Sequence, residues 1–224
     1  MIYVIGAGGV GSWLIPAMAK LVGKNEVTAV DGDVLEKGNL DRQLFSRDFI
    51  GMNKARALSV LYETYAYPEF YSAGRIELFP NDWLICAADN HPARAAVLSS
   101  CDSIGCQSVT GANETHSAEA FYYRKDWRGT KLDPRVYYPE ILKDQTGDPL
   151  ARNSGCTGEA QESNPQLVSA NLLAAGLALQ LFSLWHIVSK VLETIDHLPY
   201  RLNANLSKLS SMQVKDSYDD KNKK

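Results

Sequence analysis

The stretch Gly6-Ala7-Gly8-Gly9-Val10-Gly11 constrains this chain more than any other. Met1 and Ile2-Tyr3-Val4-Ile5 before it are apolar and β-favouring, which predicts a short buried strand. Ser12 to Leu21 after it reads as a helix. Glycines at 6, 8 and 11 let the backbone turn tightly, approach a phosphate closely and pack helix against strand. The amides at the helix start, with the positive end of its dipole, can then hold anionic oxygens. Alone, such a loop is equally an ordinary tight turn. The strand before it, the helix after it and an acid about twenty residues on, Asp31, favour a nucleotide site without naming the nucleotide.

The residues that follow extend this pattern along an α/β chain. Glu26 to Val30 reads as a second parallel strand, and Asp31-Gly32-Asp33 puts Asp31 and Asp33 at its carboxyl end, where such sheets bind ligands. A polar cluster, Asn39-Leu40-Asp41-Arg42-Gln43, comes next. Ile50-Gly51-Met52-Asn53-Lys54-Ala55 then opens a helix to about Tyr65. Lys54 in its first turn opposes the helix dipole, a poor structural choice that a bound phosphate would compensate. Glu69 to Ile76 is expected to be a third strand and Trp83 to Ala87 a fourth, with Cys86 a buried, inert thiol. Asp89-Asn90 closes that strand ahead of a helix from about Pro92 to Ser100, where a carboxylate can hold Mg²⁺ against nucleotide phosphates.

These residues together resemble the ThiF/MoeB family of adenylating enzymes, relatives of the ubiquitin-activating enzymes. The family pattern runs G-x-G-G-x-G, Asp-x-Asp, Asn-Leu-x-Arg-Gln, Ile-Gly-x-x-Lys-Ala and an Asp-Asn pair, and the chain carries all of it in order across residues 6 to 90. The resemblance implies an ATP site in which Gly6, Gly8, Gly9 and Gly11 cradle phosphate and Asp31, with Asp33, binds the ribose side. Asn39, Arg42 and Lys54 would hold the triphosphate and the charge developing at the α-phosphorus, with Gln43 in support, and Asp89 would take Mg²⁺. The chemistry agrees: a carboxylate attacking a phosphate brings two anions together, so fixed cations and a metal supply most of the catalysis. The attacking carboxylate is already ionised at neutral pH and needs no general base.

The remainder of the chain resembles the family only in layout. Gly105 to Gly111 and Ala118 to Tyr123 read as two further strands. The stretch 124–164 shows no period, and so long an irregular segment in a compact domain is functional or disordered. In the related enzymes it contains a crossover loop beneath which the tail of a ubiquitin-like protein threads. The aromatic content in and just before it (Tyr122, Tyr123, Trp127, Tyr137, Tyr138) favours a partly ordered, substrate-contacting loop. Cys156, among the small residues Asn153 to Gly158, lies where some members carry a thiol that takes the acyl group. The alternative is an incidental loop cysteine. Leu198 to Val214 alternates partly and could form a terminal hairpin.

Composition excludes several classes. A net charge of -3 gives no reason to expect nucleic-acid binding. Four cysteines in 224 residues make a disulfide framework improbable, and Cys101 with Cys106 has no second pair to complete a zinc site, so no structural zinc is expected. The paired C-x-x-C motifs of many relatives are missing. With the first strand expected to begin at Met1, the arginine that many relatives carry on an N-terminal helix for a partner's site is expected to be absent or to come from elsewhere. Residues 163–189 hold no charge and are long enough to span a bilayer. Asn164, Gln166, Asn171, Gln180 and His186, with Asn164 and Pro165 as a helix start, favour instead a buried helix over about 165–192. His186 there reads as a core residue rather than a ligand. No signal peptide is read, and a cytoplasmic protein is expected.

The sequence therefore predicts a Rossmann-like α/β fold, a mostly parallel sheet with helices on both faces and a mixed antiparallel C-terminal part. It predicts one adenylation domain over 1–214, with the ATP-binding half at about 1–112, and a disordered tail at 215–224. The expected activity is ATP- and Mg²⁺-dependent adenylation of the C-terminal carboxylate of a ubiquitin-like or sulfur-carrier protein or peptide, in a homodimer or heterodimer, with transfer to a thiol as a further step. The rivals are an NAD(P)-binding oxidoreductase and a non-catalytic nucleotide-binding subunit of a heterodimeric complex.

Overall fold

Strand β1 (Ile2–Ile5) is apolar at every position because both its faces are covered. In the computed structural model, which describes residues 1–114, 116–144, 168–188 and 198–205, it lies in the middle of the parallel part of a seven-stranded sheet. The chain continues through α1 (Gly11–Val22), β2 (Val27–Val30), α2 (Lys54–Tyr62), β3 (Tyr65–Tyr67), β4 (Trp83–Cys86) and α3 (His91–Ile104). It then runs through β5 (Gln107–Asn113), β6 (Ser117–Tyr123), the short helices α4 (Pro134–Tyr137) and α5 (Glu140–Lys143), α6 (Val168–His186) and β7 (Arg201–Asn205). The sheet order is β3-β2-β1-β4-β5-β6-β7. The first five strands are parallel, while β6 and β7 are antiparallel to their neighbours.

Side chains alternate between the two faces, as strand geometry requires. Ile2, Val4, Val27, Ala29, Trp83 and Ile85 point to the face covered by α1, α2 and α6. Ile5, Val30, Leu84 and Cys86 point to the face covered by α3 and α5. Helix α6 is long and apolar enough to cross a membrane by length and composition. Here it packs on β5 and β6 and against α1, burying Ala170, Ala174, Ala178, Leu181 and Phe182. At its end His186 stacks on Phe182 and meets Trp83 edge-on.

One expected element differs. Glu69 to Ile76 is not a strand. The third strand is β3, whose three residues follow a helix stopped at Glu63 by a left-handed turn (φ 54°). Gly74, with φ 81°, breaks the extended run expected there. Of the terminal hairpin expected over 198–214, only β7 lies among the described residues, and it pairs with β6, Arg201 opposite Phe121. The partner half expected beyond residue 205 lies outside the described residues.

Candidate functional site

The strand order reverses direction of travel between β1 and β4, and the crevice at their carboxyl ends is where such sheets hold ligands. The glycine loop leaves β1 at this point. Gly6 takes φ 92° and runs so close to β4 that a Cβ would lie 2.9 Å from the Ala88 amide nitrogen. A Cβ at Gly11 would lie 1.8 Å from the Gly6 carbonyl oxygen. Both are demanded by the chain's own packing. At Gly9 a Cβ would lie 2.7 Å from Asn171 Nδ2, so this glycine, expected to serve phosphate, is first required by α6. Gly8 differs, since a Cβ there would meet nothing nearer than Gln43 Nε2 at 3.8 Å. The fold leaves that place open, which suits close approach by a ligand.

Asp31 at the end of β2 is buried, and its carboxylate reaches back to the loop. Oδ2 accepts the Ala7 N–H at 2.6 Å and Oδ1 the Asp33 N–H at 2.8 Å. Burial pushes its pKa up to about 6, opposed by the Lys54 ammonium and the two amides and assisted by the Asp33 charge. Lys54, itself buried, donates to Asp33 Oδ2 at 3.0 Å. This carboxylate already compensates Lys54 in the folded chain, beside any bound phosphate. Asn53 ties the pair together: Nδ2 donates to the carbonyls of Asp31 (2.8 Å) and Asp33 (3.1 Å), while Oδ1 caps α2 at Arg56. Beside them lies a cavity of about 300 Å³ lined by Gly32, Pro68, Glu69, Phe70, Ser72 and Arg75.

The segment carrying Arg42 folds over α1. Asn39 is buried and accepts the Glu36 N–H at 3.0 Å, making a tight single turn. Ser12 Oγ accepts the Leu44 N–H at 3.0 Å, and the Arg42 carbonyl accepts the Trp13 indole N–H at 3.3 Å. Arg42 Nη1 donates to the Gly38 carbonyl at 3.4 Å. Gln43 is buried against Gly8, and its Oε1 has no partner among the described residues. Asp89 is exposed at the end of β4, and Asn90 beside it caps α3 by accepting the Ala93 N–H at 2.9 Å.

Gly8, Asp31, Asp33, Gln43 and Lys54 are thus tied into one region at the carboxyl edge of the sheet by contacts to the same loop or to one another. Asp89 sits at the same edge, on the neighbouring strand. Cys156 lies outside the described residues. Cys101 and Cys106 are both buried, with sulfurs 3.7 Å apart, and no group of three metal-ligating side chains occurs among the described residues. Sequence reasoning missed Ser12, Trp13 and Asn171, which position the Arg42 segment. The one signal for Asn171 was a polar residue on the buried face of an otherwise apolar helix.

No protein of curated function matches the chain in sequence. Its fold does match solved structures. The E. coli tRNA N6-threonylcarbamoyladenosine dehydratase TcdA, in complex with ATP, is 20% identical with a TM-score of 0.60, over 85% of this chain and 86% of that one. PaaA is 17% identical with a TM-score of 0.61, over 92% and 69%. E. coli MccB with MccA-N7isoASN is 16% identical with a TM-score of 0.58, over 92% and 63%. At such identities the likeness is one of fold. The sequence itself carries the lineage further, for residues 1–126, which hold the glycine loop, Asp31, Arg42, Lys54 and Asp89, match the ThiF family. The chain belongs to the ThiF family.

Proposed function

We propose that the chain is an adenylyltransferase that activates the C-terminal carboxylate of a ubiquitin-like or sulfur-carrier protein or peptide with ATP. The observation that carries this reading is the buried Lys54 beside Asp31 and the glycine loop. A dinucleotide oxidoreductase would use the loop and Asp31 but has no task for a cation buried at this depth. Family membership and the ATP complex of the similarly folded TcdA support the choice of nucleotide.

In the reaction the substrate carboxylate oxygen attacks the α-phosphorus. The bond to the β-phosphate breaks, pyrophosphate leaves with its electron pair, and the acyl adenylate remains. Asp31, ionised above pH 6, accepts a ribose hydroxyl. Lys54 and Arg42 offset the negative charge gathering on the phosphates, with Lys54 exchanging part of its contact with Asp33 for the ligand. Asn39 and Gln43 keep the Arg42 segment in place. Mg²⁺ bound to ATP takes most of its ligands from phosphate and water, so the exposed single carboxylate of Asp89 fits as its protein ligand, and the metal would neutralise charge on the leaving pyrophosphate. Cys156 is the proposed acceptor of the acyl group in a later thiol step.

ATP–pyrophosphate exchange with candidate acceptor proteins tests this directly. Wild type should exchange label only with ATP and a cognate acceptor, while Lys54→Ala and Asp89→Ala should lose at least about a hundredfold. Tight NAD binding with no exchange for any acceptor would replace the reading by the oxidoreductase one. ATP binding without exchange would favour the non-catalytic subunit. A Cys156→Ala protein that still forms adenylate but no thioester adduct assigns the thiol its role; an unchanged adduct removes it.

A further inference from the structure

Helix α6 carries no charged residue from Val168 to His186, and on its buried face Asn171 stands among Ala170, Ala174, Ala175 and Ala178. Asn171 is fully buried. Its carboxamide lies against Gly9, whose Cβ, if present, would be 2.7, 2.9 and 3.0 Å from Nδ2, Oδ1 and Cγ. Nδ2 donates to the Arg42 carbonyl at 3.4 Å, the same oxygen that takes the Trp13 indole N–H. Oδ1 has no partner among the described residues. A buried amide with an unused acceptor destabilises the fold relative to an apolar side chain of the same shape. Stability alone therefore does not account for it.

We propose that Asn171 is a positioning residue for nucleotide binding, acting through Arg42 and Gly9 rather than through a place in the reaction. Indole and carboxamide N–H groups from two different helices fix the Arg42 carbonyl, and with it the base of the guanidinium side chain. The same carboxamide limits how far the glycine loop can travel toward α6. One side chain thereby sets the separation between the cation and the phosphate cradle. A tie of this kind is made across 129 residues of sequence and is invisible to any local motif. The inference rests on the ATP reading above.

The test is Asn171→Leu, of similar shape and without hydrogen bonds. Melting temperature, ATP affinity by calorimetry, and KM and kcat for pyrophosphate exchange are compared with wild type. The expected protein melts at or above the wild-type temperature, binds ATP about tenfold more weakly, and keeps kcat at saturating ATP. A merely structural asparagine would lower the melting temperature and leave affinity alone. A folded Asn171→Leu protein with ATP affinity within about twofold of wild type overturns the proposal.

A second pair of variants stands if that protein does not fold. Gly9→Ala should weaken ATP binding by pressing on the carboxamide, and Gly9→Ala combined with Asn171→Ala should recover much of the loss. Strict additivity of the two changes overturns the coupling. Wild type that binds no ATP would remove the nucleotide reading and this one with it. Wild type that binds ATP alongside unaffected variants removes this one alone.

Discussion

Asp31 is held by two backbone amides and yet titrates near pH 6, because its burial outweighs the amides and the Lys54 ammonium together. Unfolded, the same carboxyl loses its proton near its ordinary value of 3.8. Between these values the folded chain binds the extra proton, so the contribution of Asp31 to stability is full below pH 4 and declines as pH rises through 6. The loss amounts to roughly 3 kcal/mol. Urea unfolding of wild type and Asp31→Asn at pH 4 and pH 7 should show the variant gaining about that much relative to wild type at the higher pH. A difference that stays constant with pH would contradict the burial argument. ATP affinity runs the other way and should fall below pH 6, where the carboxyl becomes protonated.

The glycines separate into two kinds by the same residue-level geometry. Gly11→Ala puts a methyl 1.8 Å from the Gly6 carbonyl, and this protein should not fold. Gly8→Ala meets only the end of Gln43. It should keep a melting temperature within about 3 °C of wild type while losing ATP affinity at least about tenfold. A Gly8→Ala protein that binds ATP normally would mean the phosphates lie elsewhere.

Elements inherit their placement from a few ties that cross between them. Arg135 in α4 bonds Asp133 before it at 2.8 Å and Asp102 of α3 at 2.7 Å, and donates to the Tyr123 hydroxyl of β6. Both carboxylates are nearly buried. Arg135→Ala leaves Asp133 with backbone amides and Asp102 with the Tyr123 hydroxyl and the exposed Arg128 at 3.6 Å, so both lose their buried cation, and the change should destabilise by about 3 kcal/mol in urea unfolding. At this scale the sequence was partly legible. Continuous apolar runs disclosed β1 and β4, and the glycine loop marked the start of α1, because an apolar run and a glycine break are each readable locally. β3 escaped because three residues offer no alternation to read. Glu69 to Ile76 misled because aromatic and apolar content mimics a strand where Gly74 turns the chain.

For the whole molecule, the motif order across residues 6 to 90 was enough to anticipate the sheet, its two helical layers and the family. The pairings inside the site were not. Asp33 serves Lys54 from 21 residues away, and Asn171 serves Arg42 from 129. Such contacts arise only when the sheet closes and carry no periodic trace. Of the stretch 124–164 expected to hold the crossover loop, residues up to 144 carry the short helices α4 and α5, while 145–164 with the Cys156 thiol lie outside the described residues, and the loop's role stays a proposal.

The tryptophans are distributed unevenly, and this gives the molecule a built-in optical reporter. Trp83, Trp127 and Trp185 gather around Tyr122 near the amino edge of the parallel strands, in rings 4.0 to 5.9 Å apart. Trp13 stands apart at the opposite edge, its indole nitrogen bonded to Arg42. Intrinsic fluorescence should therefore divide into a set that follows unfolding of the sheet and a single emitter that follows the Arg42 segment. Titration with ATP should change emission in wild type, and the change should vanish in Trp13→Phe while the unfolding signal persists. A change that survives in Trp13→Phe would locate the nucleotide's effect at the other end of the sheet.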